Sequence, residues 1–246
     1  MTVNSEADVQ GLFAAGRAVR AAFERMRQAA QPGMTTAELD RLGRQCLMEH
    51  GARSAPQLYY DFPGATCISV NEEAAHGIPS HRRLAEGDMV NIDVSAELDG
   101  YVADMGESFV VGNATAAQQQ LCSGVQSAVA AAIERVRAGR SLNVIGQAVQ
   151  KIADGLGYEI VENLGSHGVG RSIHEEPSYV PRHNPLERRR LSEGMVLTIE
   201  PFFSTGASWV EQGADGWTLS VPPGDMVAQH EHTVIVTHGA PLVVTS

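Results

Sequence analysis

The amino-acid sequence predicts an α+β fold in which helices cover a curved antiparallel sheet and the second half of the chain repeats the first. Two observations carry this prediction. The order helix, helix, strands occurs twice along the 246 residues. In addition, residues 84–93 resemble residues 191–200 with one residue dropped, since each segment has a turn, an apolar strand and an acid. We therefore expect one domain, with related halves at about 6–113 and 114–246 packed about a pseudo-two-fold axis.

The first half is predicted to begin with two helices. Apolar residues spaced along one helix face predict a helix over 6–30. Thr35, followed by Glu38, forms a capping-box pattern that predicts the start of the second helix. Residues 56–63 hold prolines and aromatic residues and are expected to form a loop, whereas 67–70 is predicted to be a short strand.

A β-hairpin is predicted next. Residues 90–96 and 101–111 have strand character, and Asp99-Gly100 between them is typical of a tight hairpin turn. In that register Asp104 is the diagonal neighbour of Asp93 on the same face, at roughly 7–8 Å between backbones. Asp93 follows an apolar run, which favours inward-facing carboxylates, although a solvated face of the hairpin is the alternative.

The second half repeats the order of elements. A capping box at Thr115 predicts a helix over 116–138, and residues 158–164 are expected to form a strand. This strand leads into a glycine-rich turn, 165–170, which lacks the Lys-Ser/Thr pair of a P-loop and the spacing of a dinucleotide-binding turn. We interpret its glycines as allowing close backbone approach around His167.

Four acids and one histidine stand in predicted strands or at strand ends, and they are Asp93, Asp104, His167, Glu200 and Glu231. Four acids in one place repel each other unless their pKa values rise or cations lie between them. Four carboxylates and one imidazole suit two divalent metal ions. The internal repeat predicts that the five residues converge, because matched positions meet near a pseudo-two-fold axis. Chance similarity between two buried strands is the alternative.

Composition excludes several classes of function. The net charge of −11, from 18 basic and 29 acidic residues, argues against direct binding of nucleic acid. The three cysteines have neither zinc-finger spacing nor a disulfide pattern, which predicts a reducing, cytoplasmic location. The first residues do not form a signal peptide, and no apolar run approaches the length of about 18 residues that suggests a membrane span.

The motifs, taken in order, resemble those of the bacterial type I methionine aminopeptidases, metallopeptidases with the "pita-bread" fold. The resemblance runs from about residue 8 to the C-terminus. The segments that carry it are Asn71-Glu72, His76-Gly77-Ile78-Pro79, Val90-Asn91-Ile92-Asp93, Asp99-Gly100, Asp104, His167-Gly168-Val169-Gly170, His174-Glu175-Glu176-Pro177, Thr198-Ile199-Glu200-Pro201, Gly216-Trp217-Thr218 and Glu231-His232-Thr233.

The resemblance implies a hydrolase that removes the initiator methionine from nascent chains and from peptides with a small second residue. Asp93 would hold one divalent ion, His167 and Glu200 would hold a second, and Asp104 and Glu231 would be shared between the two. A hydroxide bridging the ions would attack the first peptide bond. The ions could be Co, Mn, Fe or Zn, because this ligand set does not select among them.

The same resemblance implies roles for further side chains. Glu200 would be the general base, His174 would stabilise the developing oxyanion or the scissile amide, and His76 would lie by the scissile amide and the amino end of the substrate. The residues implied to bind substrate, together with His76 and His174, are Tyr59, Phe62, Cys67 and Trp217. An apolar slot with aromatic edges suits an unbranched thioether.

Two other functions stay open at this point. A proline-specific aminopeptidase or dipeptidase shares the fold and the metal ligands, but such relatives usually carry an additional N-terminal domain, and only about 90 residues precede Asp93. A peptide-binding protein of this fold without metals is the non-enzymatic alternative, and it is disfavoured because every ligand position is filled. We expect a monomer whose partners are peptides and nascent chains.

Overall fold

The computed structural model describes residues 1–180 and 182–246. The helices are α1 (Glu6–Ala29), α2 (Thr36–Glu49), α3 (Ala55–Tyr60), α4 (Ala116–Ile133) and α5 (Asn143–Leu156). The strands before α4 are β1 (Arg53–Ser54), β2 (Cys67–Val70), β3 (Glu73–Ala75), β4 (Met89–Leu98) and β5 (Tyr101–Val110). The strands after α5 are β6 (Glu159–Ile160), β7 (Ser166–Gly168), β8 (Glu175–Val180), β9 (Val196–Ile199), β10 (Phe202–Ser204), β11 (Glu211–Gln212), β12 (Leu219–Ser220), β13 (Val227–Gln229), β14 (His232–Ile235) and β15 (Leu242–Val243).

The two predicted helices of the first half are confirmed. The Ser5 side chain accepts a hydrogen bond from the Asp8 N–H and caps α1. Thr35 and Glu38 form the predicted capping box at the start of α2. Helix α1 packs on β4 and β5, helix α2 packs on α1 and contacts β1 and β2, and the apolar side chains of these elements form the first core. Phe23 in that core is 2% exposed, and burying such a ring contributes roughly 1.5–3 kcal/mol.

The predicted hairpin is also confirmed. β4 and β5 pair antiparallel from Met89 opposite Val110 to the turn, which places Asp93 opposite Gly106. Asp99 and Gly100 have φ values of 52° and 82°, the left-handed conformation that a two-residue hairpin turn needs. β1 and β2 pair with other parts of β4 and complete the first sheet.

The second half has its own pair of helices and its own sheet. The capping box at Thr115 starts α4 as predicted, but the helix ends at Ile133 rather than at residue 138. Beyond Ile133 the backbone tightens, since Arg135 and Val136 donate to the carbonyl groups three residues earlier. The helices α4 and α5 bury their apolar faces in a second core against the antiparallel sheet ordered β15-β14-β9-β7-β8.

Strand β14 and the residues before it join the two sheets. The backbone N–H of Asp104 donates to the Thr233 Oγ1 at 2.9 Å, and that hydroxyl donates to the Asp104 carbonyl at 2.8 Å. The N–H of Glu231 donates to the carbonyl of Gly106 at 2.8 Å. These contacts bring β5 beside the Glu231 end of β14. We propose that the chain is a single domain built from two related halves, 6–113 and 114–246, because each half has a helix pair over its own sheet.

Two predictions of local structure are wrong. The segment expected to be a loop at 56–63 contains helix α3, because Ser54 accepts from the Gln57 N–H as an N-cap and Pro56 lies in the first helical turn. Asp61, with φ of 56°, ends this helix in the left-handed conformation. The strand expected over 158–164 is limited to β6, since only Glu159 and Ile160 pair with β10.

None of the helices in the described residues is long and apolar enough to cross a membrane.

Two helical glycines give opposite expectations for substitution by alanine. A Cβ at Gly16 in α1 would lie 2.2 Å from the carbonyl oxygen of Val244, so we expect Gly16→Ala to destabilise the protein by about 1–3 kcal/mol. Gly155 in α5 is exposed and has open space around it, so Gly155→Ala should stabilise the protein by about 0.5–1 kcal/mol.

Urea unfolding of both variants checks these values. Equal shifts of the two transition midpoints would contradict the close packing of α1 on the C-terminal segment.

Candidate active site

A cavity of about 360 Å³ lies where the two sheets meet. The predicted site residues that line it are Phe62, Cys67, His76, Asp93, Asp104, His167, His174, Glu200 and Trp217. Glu231 does not line the cavity and is 1% exposed, but one of its oxygens lies within 4.8 Å of donor atoms of Asp104 and His167, which do line it. The structure thus brings together nearly all the residues that the sequence singled out.

The hairpin positions Asp93 and Asp104 on neighbouring strands. Asp93 lies in the middle of β4, between Cys67 on β2 and Gly106 on β5. Ser95, which faces Asp104 across the hairpin, donates its hydroxyl to the Asp104 Oδ1 at 2.7 Å. Asp104 is 5% exposed, so its carboxylate is fixed in position with little access for solvent.

His167 and Glu200 are held by the second sheet. The Nδ1 of His167 lies 2.9 Å from the carbonyl oxygen of Gly168, which can only accept, so Nδ1 carries a proton and Nε2 faces the acids. The Nε2 is 3.1 Å from the Glu200 Oε1. Thr198 donates its hydroxyl to the same Oε1 at 2.7 Å, and Ser166 accepts from the Glu200 backbone N–H.

The glycine-rich turn around His167 does allow a close backbone approach. A Cβ at Gly168 would lie 2.4 Å from the carbonyl oxygen of Glu176 on the adjacent strand β8. The prediction for these glycines is confirmed at that position, which directly follows His167.

Glu231 supplies a buried carboxylate with an unused oxygen. Its Oε2 accepts from the Gln229 side-chain amide at 3.1 Å. Its Oε1 is buried and has no hydrogen-bond partner in the described part of the chain. A buried carboxylate oxygen without a partner carries a substantial desolvation cost.

The acids strongly perturb one another. Burial, followed by the charges of Asp104 and Glu200, raises the pKa of Asp93 well above its ordinary value. Burial and the same kind of repulsion raise the pKa of Glu231 well above its ordinary value and that of Asp104 to about 6. Burial alone would lower the pKa of His167, but Glu200 and Asp104 raise it to about 9.

This donor set fits divalent cations. One donor atom from each of Asp104, His167 and Glu231 lies within 4.8 Å of the other two. A cation among them would neutralise the repulsion that raises the carboxyl pKa values, and it would give Glu231 Oε1 the partner that it lacks. Mixed oxygen and imidazole ligation is used by several divalent ions, so the geometry does not select one metal.

Two further histidines line the cavity. The ring of His174 lies beside that of His167, with 4.2 Å between centroids and an angle of 50° between the ring planes. Burial and the neighbouring His167 lower the pKa of His174 to about 4, so its ring is neutral at physiological pH. His76 has a φ of 56°, a left-handed backbone that directs the residue away from the line of β3.

One end of the cavity is apolar and aromatic. The rings of Phe62 and Trp217 meet edge to face with 5.2 Å between centroids. Cys67 also lines the cavity and is 6% exposed. Tyr59 is placed outside the lining, because its hydroxyl donates to the Arg171 carbonyl at 3.0 Å, and Tyr60 lines the cavity in its place.

Sequence reasoning missed the residues that hold the acids in position. Thr198 and Gln229 each stand two residues before a site acid, Glu200 and Glu231 respectively. Side chains two apart in a strand share a face, so a polar residue at that spacing was the available signal. No pattern pointed to Tyr60, because the segment around it was expected to be a loop.

Comparison with known proteins agrees with this geometry. Methionine aminopeptidase 2 of Bacillus subtilis (strain 168) is 42% identical over 247 residues, which cover all of this chain and 99% of that protein. The crystal structure of methionine aminopeptidase from Thermotoga maritima is 29% identical, with a TM-score of 0.95 and full coverage of both chains. Prolidase from Pyrococcus furiosus shares the fold at 23% identity and a TM-score of 0.79, and the match spans 65% of that longer chain.

These neighbours confirm the predicted duplicated, antiparallel pita-bread fold. The sequence model of metallopeptidase family M24 matches residues 10–238, more than nine-tenths of the chain. The buried carboxylates, the cavity and this match over more than nine-tenths of the chain lead to one conclusion: the chain belongs to metallopeptidase family M24.

Proposed function

We propose that the chain is a methionyl aminopeptidase, which hydrolyses the first peptide bond of peptides and nascent proteins that begin with methionine followed by a small residue. The observation that carries the proposal is the buried cluster of acids around His167, which opens into a cavity with an aromatic end. Full-length similarity to the Bacillus subtilis methionine aminopeptidase supports the choice of substrate.

The cluster would hold two divalent ions. Asp93 would bind one ion, His167 and Glu200 the other, and Asp104 and Glu231 would be shared between them. The orphaned Oε1 of Glu231 and the raised carboxyl pKa values support this assignment. When bound, the ions would supply Lewis acidity and a nucleophile at neutral pH. Co, Mn, Fe and Zn all remain candidates.

Glu200 would act as the general base. Its Oε1 is held by Thr198, whereas its Oε2 has no hydrogen-bond partner in the described residues and belongs to a side chain that lines the cavity. That oxygen can take a proton from the attacking water and pass it to the leaving amine. Because Thr198 fixes one carboxylate oxygen of Glu200, the other oxygen stays in a constant position for proton transfer.

The two cavity histidines would act on the scissile peptide. A neutral His174 can donate a hydrogen bond to the oxygen that becomes negative, and such a donor strengthens as charge develops in the transition state. His76 lines the same cavity and would orient the scissile amide and the amino end of the substrate. The side chain of the first residue would then extend toward Phe62, Cys67 and Trp217.

Peptide turnover by metal-stripped protein, before and after adding a divalent ion, tests the proposal. We expect no turnover without metal and metal-dependent release of methionine from Met-Ala-Ser. Leu-Ala-Ser and Ala-Pro should be cleaved much more slowly, because a branched side chain fits the slot poorly and proline changes the scissile bond.

The other outcomes distinguish the alternatives. Metal-dependent cleavage of Ala-Pro alone would support the metal site but contradict the methionine specificity. The chain would then be a proline-specific peptidase. Folded protein that turns over no peptide with any metal would contradict the enzymatic proposal and favour a peptide-binding role.

The aromatic end of the cavity gives a second prediction. We expect Phe62→Ala and Trp217→Ala each to lower kcat/KM for Met-Ala-Ser by about 10- to 100-fold, because each removes apolar contact with the methionine side chain. Trp209→Ala is the matched control, since Trp209 is 59% exposed and lies outside this cavity.

Steady-state kinetics with saturating metal measures these effects. Unchanged turnover of Met-Ala-Ser in both Phe62→Ala and Trp217→Ala would contradict the assignment of these residues to the methionine pocket.

We also propose a monomer in the cytoplasm that recognises peptides and nascent chains and does not bind nucleic acid directly. The net charge of −11 supports the exclusion of nucleic acid, and the free cysteines Cys46, Cys67 and Cys122 support a reducing compartment. Light scattering on the purified protein would test the monomer, and a mass of two chains would contradict it.

A further inference from the structure

Tyr60, which the sequence did not single out, contacts one of the proposed catalytic histidines. It is the last residue of α3, and its hydroxyl lies 2.7 Å from the Nδ1 of His174. The two rings are 5.6 Å apart between centroids and tilted by 52°. Tyr60 is 45% exposed, so its ring is not needed to fill the core.

The loop that carries His174 is fixed independently of Tyr60. The Glu175 Oε1 accepts from the backbone N–H groups of Arg171 and Ser172 at 2.5 and 2.7 Å. The neighbouring Tyr59 donates its hydroxyl to the Arg171 carbonyl at 3.0 Å. These bonds hold the backbone near His174, so the contact with Tyr60 is left to determine the rotation and the tautomer of the ring.

The direction of the Tyr60–His174 hydrogen bond follows from the two groups. A phenol O–H is a stronger acid than the N–H of a neutral imidazole, and the unprotonated imidazole nitrogen is the stronger acceptor. Tyr60 therefore donates to Nδ1, and the single ring proton of His174 must reside on Nε2. The Nε2 has no hydrogen-bond partner within the described residues, and His174 lines the cavity.

We propose that Tyr60 is a positioning residue that holds His174 in its Nε2–H tautomer, with that N–H directed into the cavity as the donor to the reacting peptide. The opposite tautomer would present a lone pair to the same place. A lone pair repels a developing oxyanion, so the wrong tautomer would be catalytically defective. This inference rests on the proposed function for its catalytic consequence but not for the tautomer.

The tautomer is measured by long-range ¹H–¹⁵N correlation on metal-free protein labelled with ¹⁵N-histidine, at neutral to mildly basic pH. The signals of His174 are assigned by their loss in His174→Ala. We expect protonated Nε2 and unprotonated Nδ1 in the wild type. Tyr60→Phe, which keeps the ring and removes the hydroxyl, should give a mixture of tautomers.

The catalytic consequence is measured by peptide turnover with saturating metal. For Tyr60→Phe we expect kcat on Met-Ala-Ser to fall about 10- to 100-fold, comparable with the effect of losing a hydrogen-bond partner that orients a metal-binding histidine. KM should change less than about threefold, because the lost interaction acts mainly in the transition state. Tyr158→Phe is the matched control, since that ring packs on Phe203 away from the cavity and should change neither measurement.

Several results would overturn the inference. The Nδ1–H tautomer in the wild type, or an unchanged spectrum in Tyr60→Phe, would contradict the role of the hydroxyl. If Tyr60→Phe changes the tautomer of His174 but leaves kcat unchanged, the hydroxyl of Tyr60 has no role in catalysis. If the wild type cleaves no methionine peptide, the proposed function fails, while the spectrum of the metal-free protein still decides the tautomer.

Discussion

The repulsion among buried carboxylates is the constraint on which the rest of the site depends. Asp104 and Glu231 are almost fully buried. Burial raises the pKa values of Asp93, Asp104 and Glu231, and the nearby charge of Glu200 raises them further. Like charges in a poorly solvated place destabilise the fold unless protons or cations neutralise them. A family of metallopeptidases resolves this conflict with divalent ions, so the same feature that costs stability in the metal-free protein provides the binding site.

The fold tolerates this repulsion because neutral hydrogen-bonding groups hold three of the four acids in position. Ser95 and Thr198 donate hydroxyl groups to Asp104 and Glu200, and Gln229 donates its amide to Glu231. Ser95 lies on β4, which pairs with the strand of Asp104, and Thr198 and Gln229 lie on the strands that lead directly to Glu200 and Glu231. These hydrogen bonds hold the three carboxylates in position without an ion, so ion binding would require little rearrangement of them. The junction between the two sheets matters most, since it brings Asp104 and Glu231 together.

Much of this arrangement could be predicted from the sequence, because the alternation of residues in strands and the internal repeat determine where the acids lie. The hairpin register followed from Asp99-Gly100, and the convergence of the acids followed from the similarity of the two halves. The surroundings of His174 could not be predicted in this way. Ser54, Pro56 and Asp61 form a short helix in a segment that reads as a loop, and helices this short have no apolar period to detect. The contact of Tyr60 with His174 spans 114 residues of sequence, so only the folded chain reveals it.

Anomalous diffraction from crystals of the metal-free protein soaked in Mn²⁺ tests the central claim most directly. The account predicts that the ions lie among Asp93, Asp104, His167, Glu200 and Glu231, with the Oε1 of Glu231 among their ligands. Side chains of the holding residues, such as Ser95 and Gln229, should keep their positions. Ions bound only elsewhere, with the five residues bonded to one another in their protonated forms, would contradict the account.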